Sequence, residues 1–241
     1  MNDSTRNIVF RRDPPLSGQE NMEIDDALLL GVRADDPIVV RIYQWQEPTL
    51  SLGHFQTIDQ WKQDPRVRDV AEFRTIPWVR RKTGGGAILH DQEWTYSITV
   101  PSQQQRATKG HSELLYRAIH TSIRDGLTEL GWPASLAEHC TCSPTSREKG
   151  EPFLCFQRRT PVDVVVGNHK ILGSAQRRHA NGLLQHGSLL LHSSSIYPEL
   201  RGLEQLYATR FSRADWAEWL EGRLRMAIRA AMPSAQSISG S

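Results

Sequence analysis

Cysteine is scarce in this chain. There are three in 241 residues, Cys140, Cys142 and Cys155, and an odd number argues against a disulfide framework. The first twenty residues hold no apolar h-region and carry instead Arg6, Arg11, Arg12, Asp13, Pro14 and Pro15. No secretory signal is visible, and the expectation is a cytoplasmic protein. Long hydrophobic runs are missing too. The longest, Ala27-Leu28-Leu29-Leu30-Gly31-Val32, is far short of the ~20 residues of a membrane span, which excludes a membrane partner by this route. Charge of one sign is nearly balanced, at a net +2; a nucleic-acid protein would show a basic stripe. So small an excess suits an acidic protein partner if it is gathered on one face. No internal repeat, low-complexity tract or linker rich in Pro, Gly and Ser interrupts the chain. What remains, 38% hydrophobic and 23% charged, is the composition of an ordinary globular domain, long enough to bury a core without staples.

The reading is a single domain over 20–232, with 1–19 and 233–241 as flexible termini. Helical periodicity marks 20–31, with Ile24, Ala27, Leu28 and Gly31 on one side. It marks 112–130 more clearly, through Leu114, Leu115, Ala118, Ile119, Ser122, Ile123, Leu127 and Leu130, with Gly131-Trp132-Pro133 as the stop. A last helix starts at Ser212, with Asp215 as its capping-box partner, and runs through Trp216, Trp219, Leu220, Leu224, Ala227, Ile228 and Ala231. Strand-like segments fall at 38–43, 48–53, 77–81, 86–90, 94–100, 162–167, 169–178 and 183–191. Gly167-Asn168 is a two-residue hairpin signal between two of them. Strands and helices mix without a βαβ alternation, so the expected class is α+β with a mixed sheet. Residues 133–161 show no period, and a loop of that length is functional or disordered.

Three segments carry chemistry. In Arg80-Arg81-Lys82-Thr83-Gly84-Gly85-Gly86-Ala87-Ile88-Leu89-His90-Asp91 three successive glycines remove every Cβ, so a ligand can lie on the backbone beside basic residues. The bland alternative is a flexible turn. The dinucleotide pattern G-x-G-x-x-G is absent. In the second segment Lys170 follows the hairpin turn, and Gly173-Ser174-Ala175-Gln176 leaves a hollow beside its ammonium group, although a strand lysine is usually a solvated edge residue. In the third, Gln185-His186-Gly187-Ser188, the histidine is read as pocket lining rather than as a base.

Together these blocks resemble the lipoate-protein ligase and octanoyltransferase catalytic domain. The likeness rests on Arg80 to Asp91, on Asp163 to Gln176 with its Gly-x-x-Lys-Ile-x-Gly-Ser-Ala core, and on Gln185 to Ser188. Pro48 to Gln56 and the early helix around Asn21-Met22-Glu23 are similar as well, so the resemblance runs from about residue 20 to 225 in the family's order. It implies the fold shared with biotin ligases: a mixed β-sheet, a smaller sheet and packed helices, with an acyl chain in a tunnel beside the glycine loop. It implies substrate-binding roles for Arg80, Gly84, Gly85, Gly86, Ala87, His90, Gly173, Ser174, Ala175, Gln176 and His186.

Two reactions occur in that family. The ligases activate a free acid with ATP and Mg²⁺; cysteine-dependent transferases need no cofactor and pass octanoyl or lipoyl through an acyl-cysteine. Cys155 in Leu154-Cys155-Phe156, fifteen residues before Lys170, is placed like the transferase nucleophile. A thiolate exchanges readily with a thioester, and a nearby ammonium favours the thiolate. Asp91 to Ser97 also resembles the transferase version. Gly86 and Asp163 resemble the ligase pattern, while the small C-terminal domain common in ligases has no counterpart after the last helix. The expected activity is therefore transfer from an acyl carrier protein, or another acyl donor protein, to a lipoyl domain of a 2-oxoacid dehydrogenase or of glycine cleavage H protein. Cys155 and Lys170 are the expected catalytic pair, with Arg80, Arg81, Arg158, Arg159, Arg177 and Arg178 as a docking face. The alternatives are an ATP-dependent ligase, a non-catalytic binder of lipoyl or carrier domains, Cys155 as a buried small hydrophobe, and a zinc knuckle of His139, Cys140, Cys142 and Cys155, which is tighter than the usual spacing. The expectation is no metal.

Overall fold

The computed structural model describes residues 7–102, 111–139, 152–208 and 211–232. Ten strands form two sheets. The larger has seven strands in the order β1 (Ile8–Arg12), β2 (Ile38–Tyr43), β6 (Glu93–Pro101), β10 (Gly182–Leu190), β9 (His169–His179), β8 (Val164–Val166) and β7 (Ala134–Leu136). β1 runs parallel to β2 and the remaining pairs are antiparallel. The smaller sheet holds β3 (Thr49–Leu52) between β4 (Trp78–Arg80) and β5 (Ile88–His90). The helices are α1 (Gly18–Gly31), α2 (His111–Glu129), a one-turn α3 (Leu203–Leu206) and α4 (Arg213–Ala231). The expected α+β architecture, a mixed sheet with a smaller sheet and packed helices, is the one observed. Among the described residues no helix is long and apolar enough to cross a membrane.

Strand alternation explains the layers. β6 is buried along its whole length. Its Trp94, Tyr96, Ile98 and Val100 join Leu115, Ile119, Ile123 and Leu127 of α2 and Trp216, Leu220, Leu224 and Ile228 of α4 in the main core. The intervening Thr95 and Ser97 face the opposite way, where Ser97 Oγ donates to Asp25 of α1. Period two thus sends apolar side chains to one helix layer and hydroxyls to the other.

Three expectations need correction. Ile8–Arg12, within the stretch expected to be a flexible terminus, is an edge strand zipped onto β2; five residues among Arg and Pro carry too short a period to read. Ala134–Leu136 inside the aperiodic 133–161 stretch is likewise a short strand on β8. The apolar side of α1 is not the side it buries: Gly18, Asn21, Met22, Asp25 and Leu29 face inward. That face meets the fully buried Arg41, whose guanidinium donates to Asp25 and Asn21 and, at 2.7 Å, to Asp13. Polar partners on β2 replaced the hydrophobic contact that periodicity assumes. The hairpin follows its turn residues: Val166 pairs with His169, and Gly167 takes φ +56°, open to glycine at no steric cost.

Candidate active site

The Cys155 turn is clamped by the glycine loop. Ala87 N–H donates to Phe153 O at 2.9 Å, and Cys155 N–H donates to Ala87 O at 2.7 Å. Phe153 and Leu154 are buried in the core under the small sheet, and Phe156 is buried against Ile88 and Leu190. With apolar anchors on both sides, the half-buried thiol is set at the start of a single 3₁₀ turn, Cys155–Gln157. Gly86 makes this approach possible, since a Cβ there would lie 2.9 Å from Cys155 N and 3.0 Å from its Cα.

Lys170 reaches the same sulfur from β9. Its Nζ lies 3.6 Å from Cys155 Sγ, 3.2 Å from Cys155 O and 2.8 Å from Asp163 Oδ2. Asp163 is itself held by the Thr160 N–H at 2.7 Å. Burial pulls the Lys170 ammonium toward deprotonation, but attraction to Cys155 and Asp163 outweighs it and the net shift is upward. The head group is therefore charged at neutral pH and aimed by a fixed carboxylate.

A small cavity of about 30 Å³ lies beside Cys155. Its lining includes Met22, Tyr43, Trp45, Ile88 and Ala175, with Gly84, Gly85, Gly173 and Gly187 contributing no side chain. Ser174, His90 and His186 also line it. His90 stacks on Trp45 with centroids 3.8 Å apart and hydrogen-bonds Glu93 through Nδ1 and Ser51 through Nε2. Burial holds both histidines below the usual imidazole range, so they are neutral, polar lining. The lining joins apolar side chains to the thiol, the composition expected where an apolar group meets a reactive sulfur.

The structure therefore gathers Cys155, Lys170, Gly84, Gly85, His90, Gly173, Ser174, Ala175 and His186 around one cavity, with Gly86 and Ala87 as the backbone clamp. It does not bring Arg80 or Gln176 to the cavity wall. Arg80 is exposed and donates to the carbonyls of Gly53, His54 and Gln56. Gln176 Nε2 donates to Ser112 O and Gln185 Oε1, both at 2.7 Å.

Arg81 corrects the docking-face expectation. It is 2% exposed and donates to Ser51 O and Oγ at 2.7 Å, to Gly84 O at 3.1 Å and to Gly86 O at 2.9 Å. Burial lowers its pKa to about 10, which still leaves a cation at neutral pH. Alternation could have found it, because Val79 of β4 and Arg81 just beyond its end are buried while Arg80 between them is exposed.

Two further groups escaped sequence reasoning. His120 on α2 is buried, pairs with Val162 O through Nδ1 and with Ser174 Oγ through Nε2 at 2.6 Å each, and is pushed down to about 4 by burial. Asp25 on α1 lies 3.8 Å from His186 Nδ1. Burial raises its carboxyl, yet His186, Arg41 and Ser97 together hold it below the usual carboxylate range. The proposed zinc knuckle includes Cys140 and Cys142, which lie outside the described residues.

A family model described as the lipoyl protein ligase A/B catalytic domain matches residues 17–210. An octanoyltransferase LipM from Exiguobacterium sibiricum is 37% identical over 183 residues, covering 75% of this chain and 63% of that protein. The Staphylococcus aureus LipM is 36% identical, covering 70% and 60%, and the Bacillus cereus LipM 36%, covering 80% and 71%. The chain thus spans between 60% and 71% of the length of these curated relatives. Among solved structures, lipoate-protein ligase A bound with ATP superposes with a TM-score of 0.60 at 19% identity over 93% of this chain and 84% of that one. A bipartite lipoate protein ligase from Thermoplasma acidophilum gives 0.61 at 16% identity, covering 93% and 82%. At these identities the likeness is one of fold.

Proposed function

The chain belongs to the lipoyl protein ligase A/B catalytic-domain family, and from that premise we propose that it is an acyltransferase moving an octanoyl group onto a lipoyl domain through an acyl-cysteine. The observation that carries this reading is the 3.6 Å approach of Lys170 Nζ to Cys155 Sγ at the mouth of the apolar cavity. Three relatives, 36–37% identical to this chain, are named octanoyltransferase LipM. The reading requires no metal and no nucleotide.

The steps follow from the geometry. The octanoyl chain of a carrier-protein thioester enters the cavity over Gly84 and Gly85. Cys155 sulfur attacks the thioester carbonyl, with the Lys170 ammonium as counter-ion to the thiolate and as partner to the oxyanion. A carbon–sulfur bond to Cys155 forms, the bond to the carrier's sulfur breaks, and the departing thiolate takes up from solvent the equivalent of the proton that Cys155 released on ionising. The amine of the acceptor lysine then attacks the acyl-cysteine; an amide forms and the Cys155 thiol is restored. Asp163 is the positioning residue, holding the ammonium where both attacks need it.

Incubation with octanoyl carrier protein in the absence of ATP, followed by intact-mass analysis, tests the reading. One octanoyl increment on the chain that vanishes in Cys155→Ser is expected. Modification of a lipoyl domain only when ATP and free octanoate are supplied would transfer the assignment to ligation.

A further inference from the structure

The cavity beside Cys155 is too small for the chain it is to receive. At about 30 Å³ it has room for roughly two water-sized groups, whereas an octanoyl chain carries eight carbons. Binding that chain requires one wall to give way. Interiors are close-packed, so the wall that yields is the one whose side chain has another rotamer to adopt and no buried hydrogen bond to lose.

Most of the lining is bolted in place. Tyr43 donates its hydroxyl to Asp25 at 3.1 Å, and Trp45 donates its indole N–H to Thr95 Oγ1 at 2.9 Å while stacking on His90. His186 Nε2 lies 2.6 Å from Thr83 Oγ1, and Ser188 donates to Glu93 at 2.9 Å. Moving any of these strands a buried polar group. The glycine loop is tied by Arg81, which donates to the carbonyls of Gly84 and Gly86. Apart from the reacting thiol, the apolar side chains long enough to swing are Ile88 and Met22. Ile88 lies in β5, opposite Ser51 of β3, and packs on Phe156 and Leu190; its branch at Cβ leaves little freedom about χ1. Met22 is unbranched, with three rotatable bonds. It packs on Tyr43, Trp45 and Val79 and, at 8% exposure, borders the solvent into which it can turn. The helix beneath it is fixed, because Asn21 and Asp25 both accept from Arg41. The side chain, rather than α1, is the part free to move.

We propose that Met22 is the movable wall of the acyl cavity: its side chain turns aside when an acyl chain enters, and the space it vacates sets the length of chain accepted. The inference rests on the transferase reading and adds to it the residue that selects the acyl group. Two substitutions act on this wall in opposite senses. Met22→Ala removes the γ, δ and ε atoms and leaves their space open to a longer chain. Met22→Ile keeps a side chain of similar bulk but stiffens it at χ1, so the wall no longer turns aside.

The test offers butyryl, octanoyl and decanoyl carrier proteins to the intact chain without ATP and reads the second-order rate of Cys155 loading by intact mass. In Met22→Ala the decanoyl-to-octanoyl ratio is expected to rise about tenfold over the wild type, the worth of burying two further methylenes. In Met22→Ile the octanoyl-to-butyryl ratio is expected to fall by about the same factor. Each ratio is taken within one variant, so the folded fraction cancels. A decanoyl-to-octanoyl ratio in Met22→Ala within twofold of the wild type overturns the inference, because the cavity then opens elsewhere. An octanoyl-to-butyryl ratio in Met22→Ile within twofold of the wild type overturns it equally. In both cases a wild type that loads leaves the transferase reading standing. A wild type that loads from none of the three donors overturns that reading, and this inference with it.

Discussion

An alanine at position 173 would place its Cβ 2.6 Å from Lys170 Cε and 2.9 Å from Nζ. Ordinary contact between such atoms begins at about 3.5 Å, so one side must give by roughly 1 Å. The backbone of Gly173 is paired with Ser188 across β10. The flexible end of Lys170 is therefore the part that moves, away from Asp163 at 2.8 Å and Cys155 Sγ at 3.6 Å. A displacement of that size at a reacting group costs about 10²-fold in rate, while overpacking in a core costs about 1–3 kcal/mol of stability. The expected outcome for Gly173→Ala is thus a folded chain, cooperative in thermal melting, whose single-turnover octanoyl loading is slower by about two orders of magnitude. The rate is read by intact mass on Cys155, and the same substitution is repeated on a Lys170→Met background. There it should add almost nothing, because the group it displaces is gone. Loading by Gly173→Ala within twofold of the wild type would refute the claim that the placement of this ammonium limits the chemistry. An equal loss on both backgrounds would refute the claim that the loss acts through Lys170.

Stability should fall on acidification through His120. Its folded value near 4 lies below the ordinary 6.5, so the unfolded chain takes up the proton first. The contribution is complete above pH 6.5 and drains as pH falls toward 4, by about 3 kcal/mol at most. Urea midpoints for His120→Gln between pH 7 and 5 should show a shallower decline than the wild type, and an unchanged slope would contradict the assignment. Arg41→Met should cost about 3–5 kcal/mol by leaving Asp25 charged in the interior without its guanidinium counter-ion. Adding Asp25→Asn should recover part of that loss in denaturant unfolding, and no recovery would count against the ion pair as the cause.

Much of the site was legible because its residues are adjacent in sequence. The glycine triplet, Lys170 beyond its Gly167-Asn168 turn and Cys155 beside Phe156 each stand in short blocks whose chemistry shows locally. The departures arise where the partner is remote. Arg80 and Arg81 look equivalent in the chain, yet one binds surface carbonyls and the other holds the glycine loop from within, because inward and outward positions alternate through the end of β4. The inward face of α1 is polar because Arg41, sixteen residues beyond Asp25 on another element, waits for it. His120 lies in the apolar stripe of α2 and carries no local sign that Ser174 and Val162 would satisfy it.

The amino-acid sequence alone determined the α+β class, most of the strands, the capped last helix and the identity of the thiol and ammonium. All of these depend on periodicity, turn residues and short blocks, which are local properties of the chain. Only the tertiary structure decided which cation reaches the sulfur and which arginine is interior. Those facts depend on distances between segments far apart in the chain, and such distances are set by how sheets and helices pack rather than by any run of neighbouring residues.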